Sequence, residues 1–165
     1  ILCQQIGCGF FDKASVKIYD FIHCYINIPD TSSRDSLFQA EAKRCKNILE
    51  IIKNNEDKKH LCVFDELYSG TNPEDAVISA YHYLNYINMN DNVNYILTTH
   101  YHNLCKKLKN EKTKNYHMSI TETQDDFNFT YKLKKGICNF KGGIKIFKEL
   151  EYPSTIINSI KSNNI

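Results

Sequence analysis

Apolar positions follow two different periods along the first half of the chain. Residues 19–28, YDFIHCYINI, are β-branched and aromatic, which predicts a strand suited to a sheet edge. From Ser36 to about Lys53, apolar residues recur every three to four positions, as on one helical face. That face comprises Leu37, Phe38, Cys45, Ile48, Leu49 and Ile52. We therefore predict a strand followed by a helix whose apolar stripe faces a core.

A strand, a helix and another strand follow. HLCVF at residues 60–64 is a continuous apolar run, typical of a strand covered on both faces. A helix is predicted from Pro73 to about Asn88, with acidic residues in its first turn, where the helix dipole favours them. Its predicted inner positions are Ala76, Ile78, Ala80, Leu84 and Ile87. VNYILTT at residues 93–99 predicts a second buried strand. A strand, a helix and a strand in this order form a crossover unit, which indicates an α/β fold with a parallel sheet flanked by helices.

The pattern changes after residue 110. NYHMSITET and FNFTYKLK alternate around QDD, which predicts a β-hairpin with Phe127, Phe129, Tyr131 and Leu133 on one face. GGIKIFKEL and STIINSIKS predict two short helices. We therefore interpret residues 1–165 as part of one domain, with a core at 1–110 and a hairpin with helices at 111–165.

Composition limits the classes of function. The 165 residues include 42% hydrophobic and 24% charged positions, as in a globular domain, and carry a net charge of +2. That charge is too balanced to argue for nucleic-acid binding. No apolar run approaches the roughly 20 residues that span a bilayer. Seven cysteines lack a CxxC pair, which favours reduced thiols in an intracellular protein over a zinc site or a disulfide framework: Cys3, Cys8, Cys24, Cys45, Cys62, Cys105 and Cys138.

Asp65 and Glu66 stand together at the end of the apolar run CVF. Ligands of open α/β sheets bind at the carboxyl ends of the strands. Apolar residues followed by Asp-Glu form the Walker B arrangement, in which one carboxylate holds Mg²⁺ and the next deprotonates the attacking water. The alternative is a strand that ends in two solvated acids.

Three motifs in order resemble the ATPase domain of the MutS family of DNA mismatch-repair proteins. DELYSGTNPEDA matches the family's Asp-Glu-x-x-x-Gly-Thr, and TTHYHNL, about 35 residues after Asp65, matches Thr-His-(Tyr/Phe)-x-x-Leu. Upstream, residues 4–41 match the Ile-Gly segment, the next strand and the Ser-Thr-Phe-x-x-Glu loop. The resemblance covers residues 1 to about 110, and more loosely KGGIKIFKELEYPSTII. The segment FDELYSGTNPEDA is more similar to the corresponding segment of divergent MutS-like proteins of large DNA viruses or protists.

The resemblance implies a P-loop NTPase fold of the ABC type that uses ATP and Mg²⁺. Asp65 matches the carboxylate associated with Mg²⁺, directly or through water, and Glu66 matches the general base. His100 matches the switch histidine that senses the γ-phosphate, although a lone histidine at a strand end is more often structural.

Two further matches concern a partner subunit. Ser36 matches the signature serine, which meets the γ-phosphate of a nucleotide held by the partner; its alternative role is an N-cap in a capping box with Gln39. Ser69, Gly70 and Thr71 match the loop that touches the partner, or they form a turn that caps the next helix.

The phosphate-binding motif GxxxxGK[ST] is missing from the sequence. In the family it lies just before the segment where this chain begins, so we expect a fragment that hydrolyses ATP poorly on its own. The intact protein is expected to form a homo- or heterodimer through this domain and to contact DNA through upstream regions. Alternatives are a non-catalytic interaction module, another ABC-type DNA-maintenance ATPase of the SMC kind and, more distantly, a thiol- or zinc-dependent enzyme.

Overall fold

A computed structural model describes residues 12, 13, 15–26, 36–109, 112–122, 127–138, 140 and 143–162. The chain divides into two compact units, Ile1–Leu108 and Lys109–Ile165. The elements of unit 1 are β1 (Phe21–Tyr25), α1 (Leu37–Asn54), β2 (His60–Asp65), α2 (Pro73–Asn88), β3 (Val93–Thr98) and α3 (His102–Lys107). The first five of these elements confirm the predicted strands and helices. The segment before residue 12, on which part of the family resemblance rests, lies outside the described residues.

The three strands of unit 1 form a parallel sheet in the order β1-β2-β3. Residues 21–25 of β1 pair with residues 60–64 of β2, and residues 60–65 of β2 pair with residues 93–98 of β3. This pairing confirms the predicted parallel sheet and its α/β class. It also brings the carboxyl ends of β2 and β3 to the same edge.

The starts of both long helices follow from their capping residues. Ser36 caps α1 in a capping box with Gln39. Asn72 caps α2 by accepting a hydrogen bond from the Asp75 N–H at 2.9 Å, and Pro73 occupies an early position where a missing N–H costs nothing. The capping box predicted for Ser36 is therefore confirmed.

One hydrophobic core joins the sheet of unit 1 to its helices. Phe64 of β2 is 1% exposed and its ring lies 6.0 Å from that of Tyr25 and 5.8 Å from that of Tyr83. The buried apolar positions of the two long helices are Cys45, Ile48, Ile52, Ala76, Ala80, Tyr83, Leu84 and Ile87. Burial of such side chains stabilises the fold by about 1.5–3 kcal/mol for each large one.

Ile78 and Ile96 depart from the predicted burial. Ile78 was expected inside α2, but 53% of it is exposed, because Ala76, Ala80 and Leu84 define a buried face that excludes it. Ile96 of β3 is also 53% exposed. Side chains alternate along a strand, so Ile96 lies on the face opposite Tyr95 and Leu97, which pack against the core. The prediction of a fully buried β3 is therefore wrong on one face.

No disulfide joins the cysteines that the structure describes. Cys45 and Cys62 are buried, and burial raises the pKa of Cys45 to about 11 and that of Cys62 to about 12. Cys24, in contrast to the predicted core position, is exposed. Thiolates are the reactive form, so the two buried thiols are inert at neutral pH, which argues against their use in thiol chemistry.

Unit 2 consists of β4 (Tyr116–Glu122), β5 (Phe127–Lys135), α4 (Gly143–Glu149) and α5 (Ser154–Ser162). The strands pair antiparallel, which confirms the predicted hairpin, and the two short helices are also confirmed. The QDD turn lies outside the described residues. The register shifts between Met118 and Ile120, and Tyr131 has a φ of 55° there, so the alternation predicted for β5 is interrupted. None of the described helices of either unit has the length and apolar content to cross a membrane.

Two buried histidines link β1 to β2. His23 is 6% exposed and His60 is fully buried, and their Nε2 and Nδ1 atoms lie 3.0 Å apart. His60 Nε2 lies 3.0 Å from the carbonyl oxygen of Asn55, which can only accept, so His60 Nδ1 must accept from His23 Nε2–H in the neutral pair. Burial, followed by the charges of His60 and Arg44, lowers the pKa of His23 from 6.5 to about 4.

We expect the stability of the chain to fall in acid because of His23. Between pH 6.5 and about 4, His23 is protonated in the unfolded state but neutral in the folded state. The free energy of unfolding should therefore decrease by about 1.4 kcal/mol for each unit by which the pH falls. Above pH 6.5 this contribution is constant. Urea unfolding across this range checks the slope: His23→Gln should flatten it, whereas His102→Gln, at an exposed position, should not. An unchanged slope in His23→Gln would contradict the assignment.

Candidate active site

The carboxyl ends of β2 and β3 bring the predicted acidic and histidine residues together. Asp65 pairs in register with Thr98, whose hydroxyl donates a hydrogen bond to Asp65 Oδ1. The Glu66 N–H donates to the Thr98 carbonyl at 3.0 Å. His100 follows two residues later, so Asp65, Glu66 and His100 converge at this edge of the sheet.

The two neighbouring carboxylates have separate partners. Asp65 accepts from Thr98, whereas Glu66 Oε1 lies 3.3 Å from His100 Nδ1. The side chains of Glu66 and His100 are 51% and 62% exposed, so this pair adds little to stability but is open to a ligand. Thr98 of β3 thus contacts Asp65, and His100, just after β3, contacts Glu66.

The backbone around Glu66 adopts an uncommon conformation. Glu66 has a φ of 50° and Tyr68 a φ of 61°, in the left-handed region that non-glycine residues rarely occupy. Leu67 and Tyr68 are 1% and 7% exposed, and the Tyr68 N–H donates to the Tyr25 hydroxyl at 3.3 Å. The buried side chains therefore hold a strained turn immediately after the strand, as is common at functional sites.

Ser36 lies at the start of α1 and is exposed. Its hydroxyl oxygen accepts from the Gln39 N–H at 3.3 Å, while its own N–H donates to Gln39 Oε1 at 2.8 Å. Because the hydroxyl uses an oxygen lone pair for the cap, its proton can still be donated to an anion. The capping role and the role in anion binding are thus compatible at one residue.

The loop after Glu66 is fastened to α1 by Glu41, which the sequence analysis matched to the last residue of the Ser-Thr-Phe-x-x-Glu loop without assigning it a role. Glu41 is 2% exposed, and its Oε1 accepts from both the N–H and the hydroxyl of Ser69 at 3.0 Å. Its Oε2 accepts from the Gly70 N–H, also at 3.0 Å. Thr71, the third predicted loop residue, is partly buried. Glu41 was detectable as an acid in the helical series Phe38, Glu41, Cys45, Ile48 and Ile52, which is otherwise apolar.

The residues present fit a nucleotide-bound Mg²⁺ better than a metal held by protein alone. Among the residues that the structure describes, no group of three or more His, Cys, Asp or Glu side chains could hold a metal ion. Mg²⁺ commonly uses one or two carboxylates together with substrate phosphates and water. The exposed carboxylate of Asp65 meets that requirement.

Comparison with known proteins gives consistent results. The family model described as MutS domain V matches residues 1–164. The chain is 33% identical over 153 residues to the DNA mismatch repair protein MutS of Clostridium botulinum (strain Hall), covering 90% of this chain and 16% of that protein. It is 30% identical over 162 residues to the DNA mismatch repair protein MutS of Prochlorococcus marinus (strain MIT 9312), covering 93% and 17%. The chain therefore spans less than a fifth of the length of these curated relatives.

The two roles of Ser36 can be separated by substitution. Ser36→Ala removes the acceptor for the Gln39 N–H, so the free energy of unfolding should fall by about 1 kcal/mol. Ser36→Asp retains an equally good cap and should unfold like the wild type. Chemical denaturation of the three proteins measures this difference. Equal losses in both variants would contradict the assigned cap.

Proposed function

Because this chain belongs to the MutS domain V family, we propose that it supplies catalytic residues to an ATPase domain of a mismatch-binding protein. The observation that supports this proposal most is the convergence of Asp65, Glu66 and His100 at the carboxyl end of adjacent parallel strands. The parallel sheet flanked by helices agrees with the P-loop NTPase-like fold of that family.

Asp65 is the proposed site for Mg²⁺, bound directly or through water. The Thr98 hydroxyl bonds to Asp65 Oδ1 and fixes the carboxylate, which leaves Oδ2 for the ion or its water. When bound, Mg²⁺ would neutralise charge on the phosphate oxygens of ATP. Thr98 is therefore proposed to position the carboxylate rather than to react.

Glu66 is the proposed general base. It holds the attacking water through its carboxylate and accepts the proton as the water oxygen approaches the γ-phosphate. His100, 3.3 Å from Glu66 Oε1, orients that carboxylate and can also meet the γ-phosphate. The positive φ of Glu66 supports this assignment, because strained backbone is maintained where a side chain must be held in one place.

Ser36 and the loop of Ser69, Gly70 and Thr71 are proposed to act across a dimer. In this arrangement two domains enclose ATP, and Ser36 donates its hydroxyl proton to the γ-phosphate bound by the partner subunit. The start of a helix favours an anion, because the helix dipole is positive at that end. The loop contacts the partner beside that site. Upstream regions of the intact protein bind DNA, in agreement with the net charge of only +2 here.

ATP turnover by the intact protein tests the role of Glu66. Glu66→Gln keeps the shape of the side chain but cannot accept the proton, so the turnover rate should fall by at least about a hundredfold while ATP still binds. Glu56→Gln is the matched control, since Glu56 is exposed in the turn before the amino end of β2. Wild-type protein that binds no ATP and shows no turnover would instead indicate a non-catalytic interaction module.

Mixing two inactive variants tests whether the ATP site is shared between subunits. One variant carries Ser36→Asp, which keeps the cap but repels phosphate, and the other carries Glu66→Gln. If Ser36 acts on the partner's nucleotide, a mixed dimer has one site with both wild-type groups, and an equimolar mixture should recover turnover, up to about a quarter of the wild-type rate. If both residues serve the same subunit's nucleotide, every site contains a substitution and no turnover returns.

A further inference from the structure

Glu41 is a buried acid that hydrogen-bonds to a distant loop and to the Tyr25 side chain. The residue is 2% exposed and lies in the second turn of α1. It accepts three hydrogen bonds of 3.0 Å, two from Ser69 and one from the Gly70 N–H. A carboxylate buried in this way is costly unless donors surround it, and bonds to a charged acceptor are about twice as strong as neutral ones. The three bonds therefore join α1 firmly to the loop.

A close backbone contact at Gly70 joins the same two segments independently. A Cβ atom at Gly70 would lie 2.7 Å from Leu37 Cγ and 2.8 Å from the Phe38 nitrogen. Real Cβ atoms do not approach other atoms so closely, so only glycine allows the loop to touch the first turn of α1. We refer to Glu41, Ser69 and Gly70 as the Glu41 junction.

The Glu41 junction lies between two of the proposed functional groups. On one side, Ser36 caps the helix that carries Glu41, five residues earlier in the chain. On the other side, Glu66 precedes Ser69 by three residues, across the buried Leu67 and Tyr68. The turn between Glu66 and Ser69 has little freedom to rearrange, because Leu67 and Tyr68 are buried and Glu41 holds Ser69. A movement of the start of α1 is therefore passed on to Glu66.

We propose that Glu41 is a positioning residue that makes the start of α1 and loop 69–71 move as one body. This inference rests on the proposed function, in which Ser36 serves the partner's nucleotide and Glu66 serves its own. The Glu41 junction then connects the two nucleotide sites through the interior of one subunit. Loss of phosphate contact at Ser36 displaces α1, and the junction passes that displacement to the loop beside Glu66.

Glu41→Gln in the intact protein is the first test. The substitution keeps the volume but replaces one acceptor oxygen with an NH₂ group, so at least one bond to Ser69 or Gly70 is lost. Hydrogen exchange of peptides covering residues 66–72 should become about tenfold faster. The kcat for ATP should fall about ten- to a hundredfold, with a smaller change in KM, because Glu66 loses its place but the nucleotide keeps most of its contacts.

Glu50→Gln is the matched control for this experiment. Glu50 lies on the same helix, its side chain is 57% exposed, and it pairs with Lys46 on the surface. It should leave both hydrogen exchange at 66–72 and turnover unchanged. A loss of turnover equal to that of Glu41→Gln would show that any neutralised acid on α1 has this effect, and would overturn the inference.

Gly70→Ala provides a second route to the same junction. The added methyl group separates loop 69–71 from α1 while Glu41 stays in place. Both substitutions break the same connection between α1 and loop 69–71. The double variant should therefore turn over ATP no more slowly than the slower single variant. Additive losses would mean that the two residues act separately, which would overturn the inference.

The experiment separates this inference from the proposed function. Unchanged exchange at residues 66–72 in Glu41→Gln overturns the junction whatever the turnover. Faster exchange with wild-type kcat also overturns it, since the loop is then not needed to position Glu66. If the wild type itself lacks turnover that depends on Glu66, the proposed function fails, and with it the catalytic role of the junction.

Discussion

The parallel pairing of β2 with β3 is the constraint on which the arrangement of unit 1 depends. Parallel strands require a crossover connection, which α2 provides, and their carboxyl ends then meet at one edge. The core fixes the register, because Phe64 must lie between the rings of Tyr25 and Tyr83. A slip of one residue would expose Phe64 and carry Asp65 away from Thr98. Packing in the interior thus determines which polar groups meet at the surface.

The same core maintains the unusual backbone after β2. Positive φ angles at Glu66 and Tyr68 cost roughly 1–3 kcal/mol each. Burial of the Leu67 and Tyr68 side chains stabilises the turn by a similar amount, about 1.5–3 kcal/mol for each large apolar side chain. The Tyr68 ring contacts those of Phe38 and Tyr83 at centroid distances of 5.8 and 6.2 Å. Residues that touch no ligand therefore define where the Glu66 carboxylate lies.

Local signals in the sequence predicted much of this fold, but not its long-range polar contacts. Ser36 and Pro73 indicated where the helices begin, because caps act within a few residues. Burial at Ile78 and Ile96 was mispredicted, since apolar character does not reveal which face a neighbour covers. The order of the motifs predicted that Asp65, Glu66 and His100 would meet. Glu41 was part of a matched motif, but its contacts with Ser69 and Gly70 were not predicted, because these donors lie 28 and 29 residues away, beyond any periodicity.

The narrow gap at Gly70 also limits how this chain can be altered by exchange with its relatives. Leu37 fills the space that a side chain at position 70 would need, and Glu41 borders the same space. A segment exchanged from a relative with a different residue at either position would create a clash or a void, even if each residue is harmless in its own background. The residues of segments 36–41 and 69–71 must therefore be compatible with each other, although the two segments are far apart in the chain. A functional chimaera must transplant both together.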